Sequence, residues 1–290
     1  MLRFTGPMAL NYSGPPPSLL TVDHSTEVAG RGTRAGPAKI SPAANSLCSK
    51  LPNPIALKLA QFSLLEDSDV HALDGLLASP KSLRAGQILV HQDSVPDHVY
   101  LMVRGMACRY KLLSGGERQI LGYIIPGDIC DVHFVTLNKS DHSVVLLGAC
   151  EVVKIATHKM KTILANHPRI ERALSLAALH EIAILREWLV NVGQRAALQK
   201  VSHFLCEMTY RLARVGQVAD DGSFELPINQ MALADTTGLT PVHINRTLQR
   251  LRYDGLIRLG QRRLSIIDAE QLAMVAGFDD NYLQVKQCTR

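Results

Sequence analysis

The spacing of hydrophobic and polar positions changes repeatedly along this chain, and each change predicts a different kind of element. Residues 1–54 show no sustained apolar period. They hold eight of the fourteen prolines, including Pro15, Pro16 and Pro17, and five glycines, a composition that predicts a tail without a packed core. From Pro54 to about Leu77 the spacing turns helical, with Ile55, Leu59 and Phe62 on one face and Val70, Leu73 and Leu77 after them. Short runs of β-formers follow. Val99, Leu101 and Val103 alternate with Tyr100 and Met102, and Met106, Cys108 and Tyr110 continue the alternation. Residues 119–125 and 143–155 extend the series, and Gly86, Gly105, Gly115, Gly116 and Gly127 punctuate it. This pattern predicts a compact β-sandwich or barrel between Lys81 and Ala156.

A long helix is predicted next. Pro168 stands near its start, where a missing N–H is harmless. Ile182, Leu185, Leu189 and Val192 step by three, four and three, the spacing of a coiled-coil seam. A helix of more than twenty residues overhangs a domain this small, so the seam is expected to meet a second copy of the chain, not only its own β-domain. Gly193 marks a joint, and residues 196–215 read as another helix, with Val201, Leu205, Met208 and Leu212 along one side.

The most informative stretch is 226–267. Asn229 can cap a short helix over 230–236, with Met231 and Leu233 or Ala234 turned inward. Thr237-Gly238-Leu239 makes a tight turn. Thr240 then caps a second helix, with Pro241 at its first position. Ile244, Leu248 and Leu251 form that helix's buried stripe, and the opposite face carries His243, Asn245, Arg246, Gln249 and Arg250. Asp254-Gly255 ends it. Two β-runs, 256–259 and 264–267, bracket Gly260-Gln261-Arg262-Arg263, a hairpin with a basic tip. Helix, turn, helix and basic hairpin form the plan of a winged helix-turn-helix, whose second helix enters the DNA major groove.

Composition supports this plan. The chain has 290 residues, is 47% hydrophobic and 20% charged, and has a net charge of +5. The segment 226–267 holds six arginines against two acidic residues, and this local basic excess suits phosphate. No apolar run reaches the roughly 18 residues that a membrane span needs. The first twenty residues lack the unbroken apolar stretch of a signal peptide, so a cytoplasmic location is expected. The six cysteines lie far apart without a CxxC spacing, and the eleven histidines form no diagnostic pair. No metal site or cofactor is therefore assigned. There is no nucleophile elbow, P-loop, HExxH or dinucleotide fingerprint, so no enzyme is expected. Asp128 and Asp131 are a carboxylate pair in a turn, where such residues are commonly turn formers.

The run LPINQMALADTTGLTPVHINRTLQRLRYDGLI, from Leu226 to Ile257, resembles the DNA-binding signature of the Crp/Fnr family of bacterial transcription regulators. IIPGDICD, from Ile124 to Asp131, resembles that family's Gly-Asp turn. The resemblance covers about 55–270 and implies an α+β chain with a β-roll sensor, a dimerisation helix and a C-terminal winged helix-turn-helix. The expected divisions are a tail over 1–54, the roll over 55–166, the dimerisation helix over 167–193, the DNA-binding domain over 194–275 and a C-terminal tail over 276–290. It also implies a homodimer on double-stranded DNA, with RNA polymerase as a further partner. Pro241, Val242, Asn245, Arg246 and Gln249 would enter the groove, with Thr240, His243, Arg250, Arg262 and Arg263 around them. Arg246 matches the family's base-reading arginine. Family members often carry Glu where Val242 stands, which implies a different operator.

For the effector pocket, the resemblance points to Asp128, Asp131 and Val132, and to Lys139, Asp141, His142 and Ser143. Cyclic-AMP-binding members have a Glu near Val132 and an Arg near Asp141. The missing pair implies that cyclic AMP is not the effector. The alternative reading is a ligand-binding signalling module whose C-terminal helices hold a protein and not DNA.

Overall fold

A computed structural model of the chain describes residues 53–130 and 139–284. Asn53 and Pro54, both expected in the tail, are packed with the described residues that follow them. The Asn53 side chain accepts from Ile55 N (3.0 Å), capping helix α1 (Pro54–Leu59), and donates to Asp74 Oδ1 (2.7 Å) in helix α2 (Asp67–Asp74). The single helical stretch read from the sequence is thus two short helices.

The roll contains strands β1 (Lys81–Leu83), β2 (Ile88–Val90), β3 (His98–Arg104), β4 (Ala107–Leu112), β5 (Arg118–Ile124), β6 (Ile129–Cys130), β7 (Ser143–Leu146) and β8 (Cys150–Ala156). They form two antiparallel sheets, β1-β8-β3-β6 and β2-β7-β4-β5. Met102, Ala107, Ile124, Val144 and Val152 pack between the sheets. Val99, Leu101, Val153 and Ile155 leave the other face of the first sheet and pack on α1, α2 and the helices that follow. Cys108, Ile120 and Tyr123 leave the second sheet toward the C-terminal domain. Both faces of each sheet therefore carry buried apolar side chains, where simple alternation would leave one face wet. Gly127 makes the Gly-Asp turn at φ +89°, and a Cβ there would stand 2.3 Å from the Pro54 carbonyl oxygen. Only glycine lets the turn press against α1.

Helix α3 (Thr157–Asn166) leads into α4 (Pro168–Gln194), 27 residues long with proline in its first turn. Gly193 lies inside α4, and the joint falls at Arg195 and Ala196, which are extended. Helix α5 (Ala197–Ala213) is the axis of the C-terminal domain. Its expected stripe is buried, and so are Phe204, Cys206 and Glu207. Around α5 stand β9 (Ser223–Glu225), α6 (Gln230–Thr237), α7 (Pro241–Tyr253), β10 (Ile257–Gly260), β11 (Arg263–Ile266) and α8 (Ala269–Ala276). Strand β9 extends the hairpin into a three-stranded sheet, β10-β11-β9, which the sequence pattern did not predict. The expected C-terminal tail is packed through residue 284. Phe278 and Leu283 are buried, and Tyr282 donates its hydroxyl to Glu207 (2.9 Å). No helix among the described residues is long and apolar enough to cross a membrane.

Candidate nucleic-acid interface

The helix-turn-helix is set by local chemistry. Asn229 Oδ1 accepts from Ala232 N (2.8 Å) and starts α6. Leu233 and Ala234 turn inward as expected. Met231 does not; it is 55% exposed, because the first turn of α6 lies at the domain surface. Gly238 stops α6 in the left-handed conformation at φ +67°. Thr240 Oγ1 accepts from His243 N (3.3 Å) and starts α7, with Pro241 in its first turn.

Ile244, Thr247, Leu248 and Leu251 then form the buried face of α7. Pro241, Val242, His243, Arg246, Gln249 and Arg250 are exposed beside Thr240, and Asn245 is half-buried. The structure thus brings the helical candidates onto one surface. Among the described residues no carboxylate pairs with Arg246. Arg250 is held by Asp254 four residues on (2.7 Å), and this bond raises its guanidinium above the usual range.

The wing differs from the expected hairpin in its tip. Gly260 pairs with Arg263 across the strands. The left-handed conformations fall on Gln261 (φ 48°) and Arg262 (φ 63°), as a two-residue turn that follows the twist of its strands requires. Arg262 therefore stands at the tip, whereas Arg263 belongs to β11 and donates to Ser223 Oγ (2.7 Å) on β9.

The long helix leaves an apolar stripe bare. Leu179, Ile182, Leu185 and Leu189 are 61%, 44%, 42% and 75% exposed, while Ile184 and Trp188 on the other face are buried. Val192 departs from this stripe. It is half-buried, with Cγ1 3.5 Å from where a Cβ on Gly238 would stand, so it packs on the helix-turn-helix turn of its own chain. Lys200, which no sequence signal singled out, ties the same two elements, donating to Val192 O (2.8 Å) and Thr237 O (3.3 Å).

Five of the residues expected at the effector pocket are among the described ones, and of these Asp128 and Ser143 bond to different segments. Asp131 and Val132 lie outside the described residues. Asp128 pairs with Lys58 (2.9 Å), accepts from Ile125 N (3.0 Å) and lies 3.9 Å from Arg211. Burial acts to raise its carboxyl, but Lys58 and Arg211 hold it below the usual carboxylate range. Lys139 and Asp141 are exposed, and Asp141 takes the His142 ring (2.8 Å). Ser143 accepts from Gln92 N (2.9 Å) at the start of β7, on the other sheet from the β6 strand that follows Asp128. A cavity of about 90 Å³ lies between the roll, α1, α4 and α5. The charged side chains lining it are committed to Lys58–Asp128, Arg109–Glu181 and Arg211–Glu207 pairs.

The roll also grips the helix-turn-helix. Arg118 pairs with Asp235 of α6 (2.6 Å), and the buried Tyr123 hydroxyl meets Thr236 (2.7 Å). Burial pushes that phenol's pKa up. Sequence reasoning missed both pairs, because each joins residues more than a hundred positions apart.

Residues 199–275 match the family of Crp-like helix-turn-helix domains, and residues 80–167 match the family of cyclic nucleotide-binding domains. The chain is 30% identical over 190 residues to the transcriptional activatory protein AadR of Rhodopseudomonas palustris, an alignment covering 66% of this chain and 78% of that protein. It is 27% identical over 192 residues to the nitrogen fixation regulation protein FixK of Bradyrhizobium diazoefficiens, covering 66% and 79% of the two chains. Its fold is that of FixK2 from Bradyrhizobium japonicum, with a TM-score of 0.61 at 23% identity, over 68% of this chain and 96% of that one.

Proposed function

Because the chain belongs to the Crp/Fnr family of regulators, we propose that it binds an inverted-repeat operator as a homodimer and controls transcription without cyclic AMP as effector. The observation that carries this reading is the exposed face of α7. A capped, proline-started helix puts Val242, Asn245, Arg246 and Gln249 outward over a buried stripe. Its N-terminal turns fit against base edges in the major groove. Arg246 suits guanine O6 and N7, Val242 suits a thymine methyl, and Arg262 at the wing tip suits phosphate.

The bare Leu179, Ile182, Leu185 and Leu189 stripe supports the dimer. Two-fold pairing would set two copies of α7 about 34 Å apart, one turn of DNA. RNA polymerase is the partner that transcription control calls for, and the cytoplasm is where such a regulator would meet its DNA. The effector reading rests on charge. A buried cyclic phosphate needs a cation, whereas Asp141 stands in the loop expected to supply one and the cations around the cavity already hold carboxylates. Selection of bound duplexes from a random pool tests the whole reading. An inverted repeat with half-sites one turn apart, unchanged by added cyclic AMP, is the expected result. A failure to enrich any sequence would overturn it.

A further inference from the structure

Resting on the DNA-binding reading above, we infer that Gln230 is a positioning residue that presets Asn245 to read an A·T base pair. The two side chains come from different helices. Gln230 is the first residue of α6, held there by the Asn229 cap and by the Leu233 N to Asn229 O bond (3.0 Å). Asn245 lies on α7 one residue after the buried Ile244 and one before Arg246. Asn245 Nδ2 donates to Gln230 Oε1 at 3.3 Å.

That bond has a chemical consequence for recognition. An asparagine reads adenine by accepting from N6 and donating to N7, which needs its amide plane fixed and both edges available. Nδ2 has two protons. The bond to Gln230 uses one and orients the amide, which leaves Oδ1 as acceptor and the second proton as donor. A free asparagine at a helix surface would lose rotamer entropy on binding, and a partner that holds it in place lowers that cost. Gln230 retains its own Nε2, a donor suited to a backbone phosphate beside the base. Arg246 then reads a neighbouring pair, so the two contacts specify different operator positions.

The test is selection from a random duplex pool with wild type and with Gln230→Ala, Asn245→Ala, the double variant and Gln230→Glu. Asn245→Ala should relax a single A·T position about tenfold, the scale of one bidentate contact; Gln230→Ala should relax the same position by a smaller factor, and the double variant should relax it no further than Asn245→Ala. Gln230→Glu keeps the acceptor and loses the donor. It should preserve the preference at that position while lowering affinity on all sequences. Gln230→Ala that weakens all duplexes equally, or relaxes a position other than the one Asn245→Ala relaxes, would overturn the pairing. A wild type that enriches no sequence would instead overturn the DNA-binding reading, and the pairing with it.

Discussion

Helix α7 and the cavity beneath the long helix both carry basic side chains, and Arg246 of the first is treated differently from those of the second. On α7, Arg246 faces outward, and among the described residues no carboxylate pairs with it. Around the cavity Lys58, Arg109 and Arg211 are bound to Asp128, Glu181 and Glu207. A buried charge must be neutralised inside the protein, because water cannot do it there. An exposed charge can wait for a polyanion at little cost. The first region therefore leaves a cation open to an external partner, and the second already contains its partners. Helix α4 lines the cavity with one face and leaves Leu179, Ile182 and Leu189 bare.

The largest expected effect concerns that bare face. Leu185→Asp with Leu189→Asp should produce monomers by analytical sedimentation and remove specific operator binding altogether. A wild type that sediments as a monomer at micromolar concentration yet binds tightly would break the dimer reading.

Arg211 and Arg246 then separate the two kinds of cation directly. Arg211→Ala removes the cation beside the fully buried Glu207, leaving it only the neutral Trp188 and Tyr282 donors, and should cost about 3–5 kcal/mol of stability in urea unfolding, the scale of a broken buried pair. Arg246→Ala should leave stability within about 0.5 kcal/mol. It should cost about 1–3 kcal/mol of binding on the cognate site and relax one base pair. Equal losses for Arg246→Ala on cognate and random duplexes would mean a phosphate contact only.

The interior makes a further demand through His203, which is buried against Phe278 and Tyr282. Burial and then Arg195 push its pKa down to about 3, against the opposing pull of Glu187, whose Oε1 stands 3.3 Å from the ring Nε2. It stays neutral in the folded chain but protonates below about pH 6.5 once unfolded. The unfolded state then binds more protons, so stability is full above pH 6.5 and falls as pH drops toward 3. The His203 share should reach about 2 kcal/mol at pH 5. Replacing it in His203→Leu should flatten the denaturation-against-pH curve by that amount, and an unchanged slope would contradict the assignment.

The smallest effect is at the wing. Arg262 holds φ 63° at a position where glycine has no steric cost. Arg262→Gly should stabilise the domain by up to about 1 kcal/mol if relief of that strain outweighs the added freedom of the unfolded chain. It should nevertheless weaken binding to all duplexes and reduce the salt dependence by about one counterion. A variant whose binding is unchanged would remove the wing from the interface.

These two regions also differed in how far the sequence revealed them. The site on α7 lies within a few helical turns, and one helix's period places Ile244 and Leu248 inward and Arg246 outward without any distant contact. Caps at Asn229 and Thr240 and the left-handed Gly238 are equally local. The effector region was not legible in this way. Asp128 stands in the turn before β6 of one sheet and Ser143 begins β7 of the other, and their partners, Lys58, Arg211 and Gln92, come from distant segments. Met231 and Val192 were misplaced by periodicity alone, since both lie where one element ends against another.

The sequence by itself determined the succession of β-roll, long helix and winged helix-turn-helix and the outward residues of the last, because caps, turns and helical periods act over a few positions. Tertiary structure alone decided which charges are neutralised internally and that Arg118 and Tyr123 of the roll hold α6. It also brought Lys200 to join the end of α4 to the helix-turn-helix and Gln230 to meet Asn245. Those contacts depend on which surfaces meet after the elements have formed, and side-chain spacing along a chain carries no record of that.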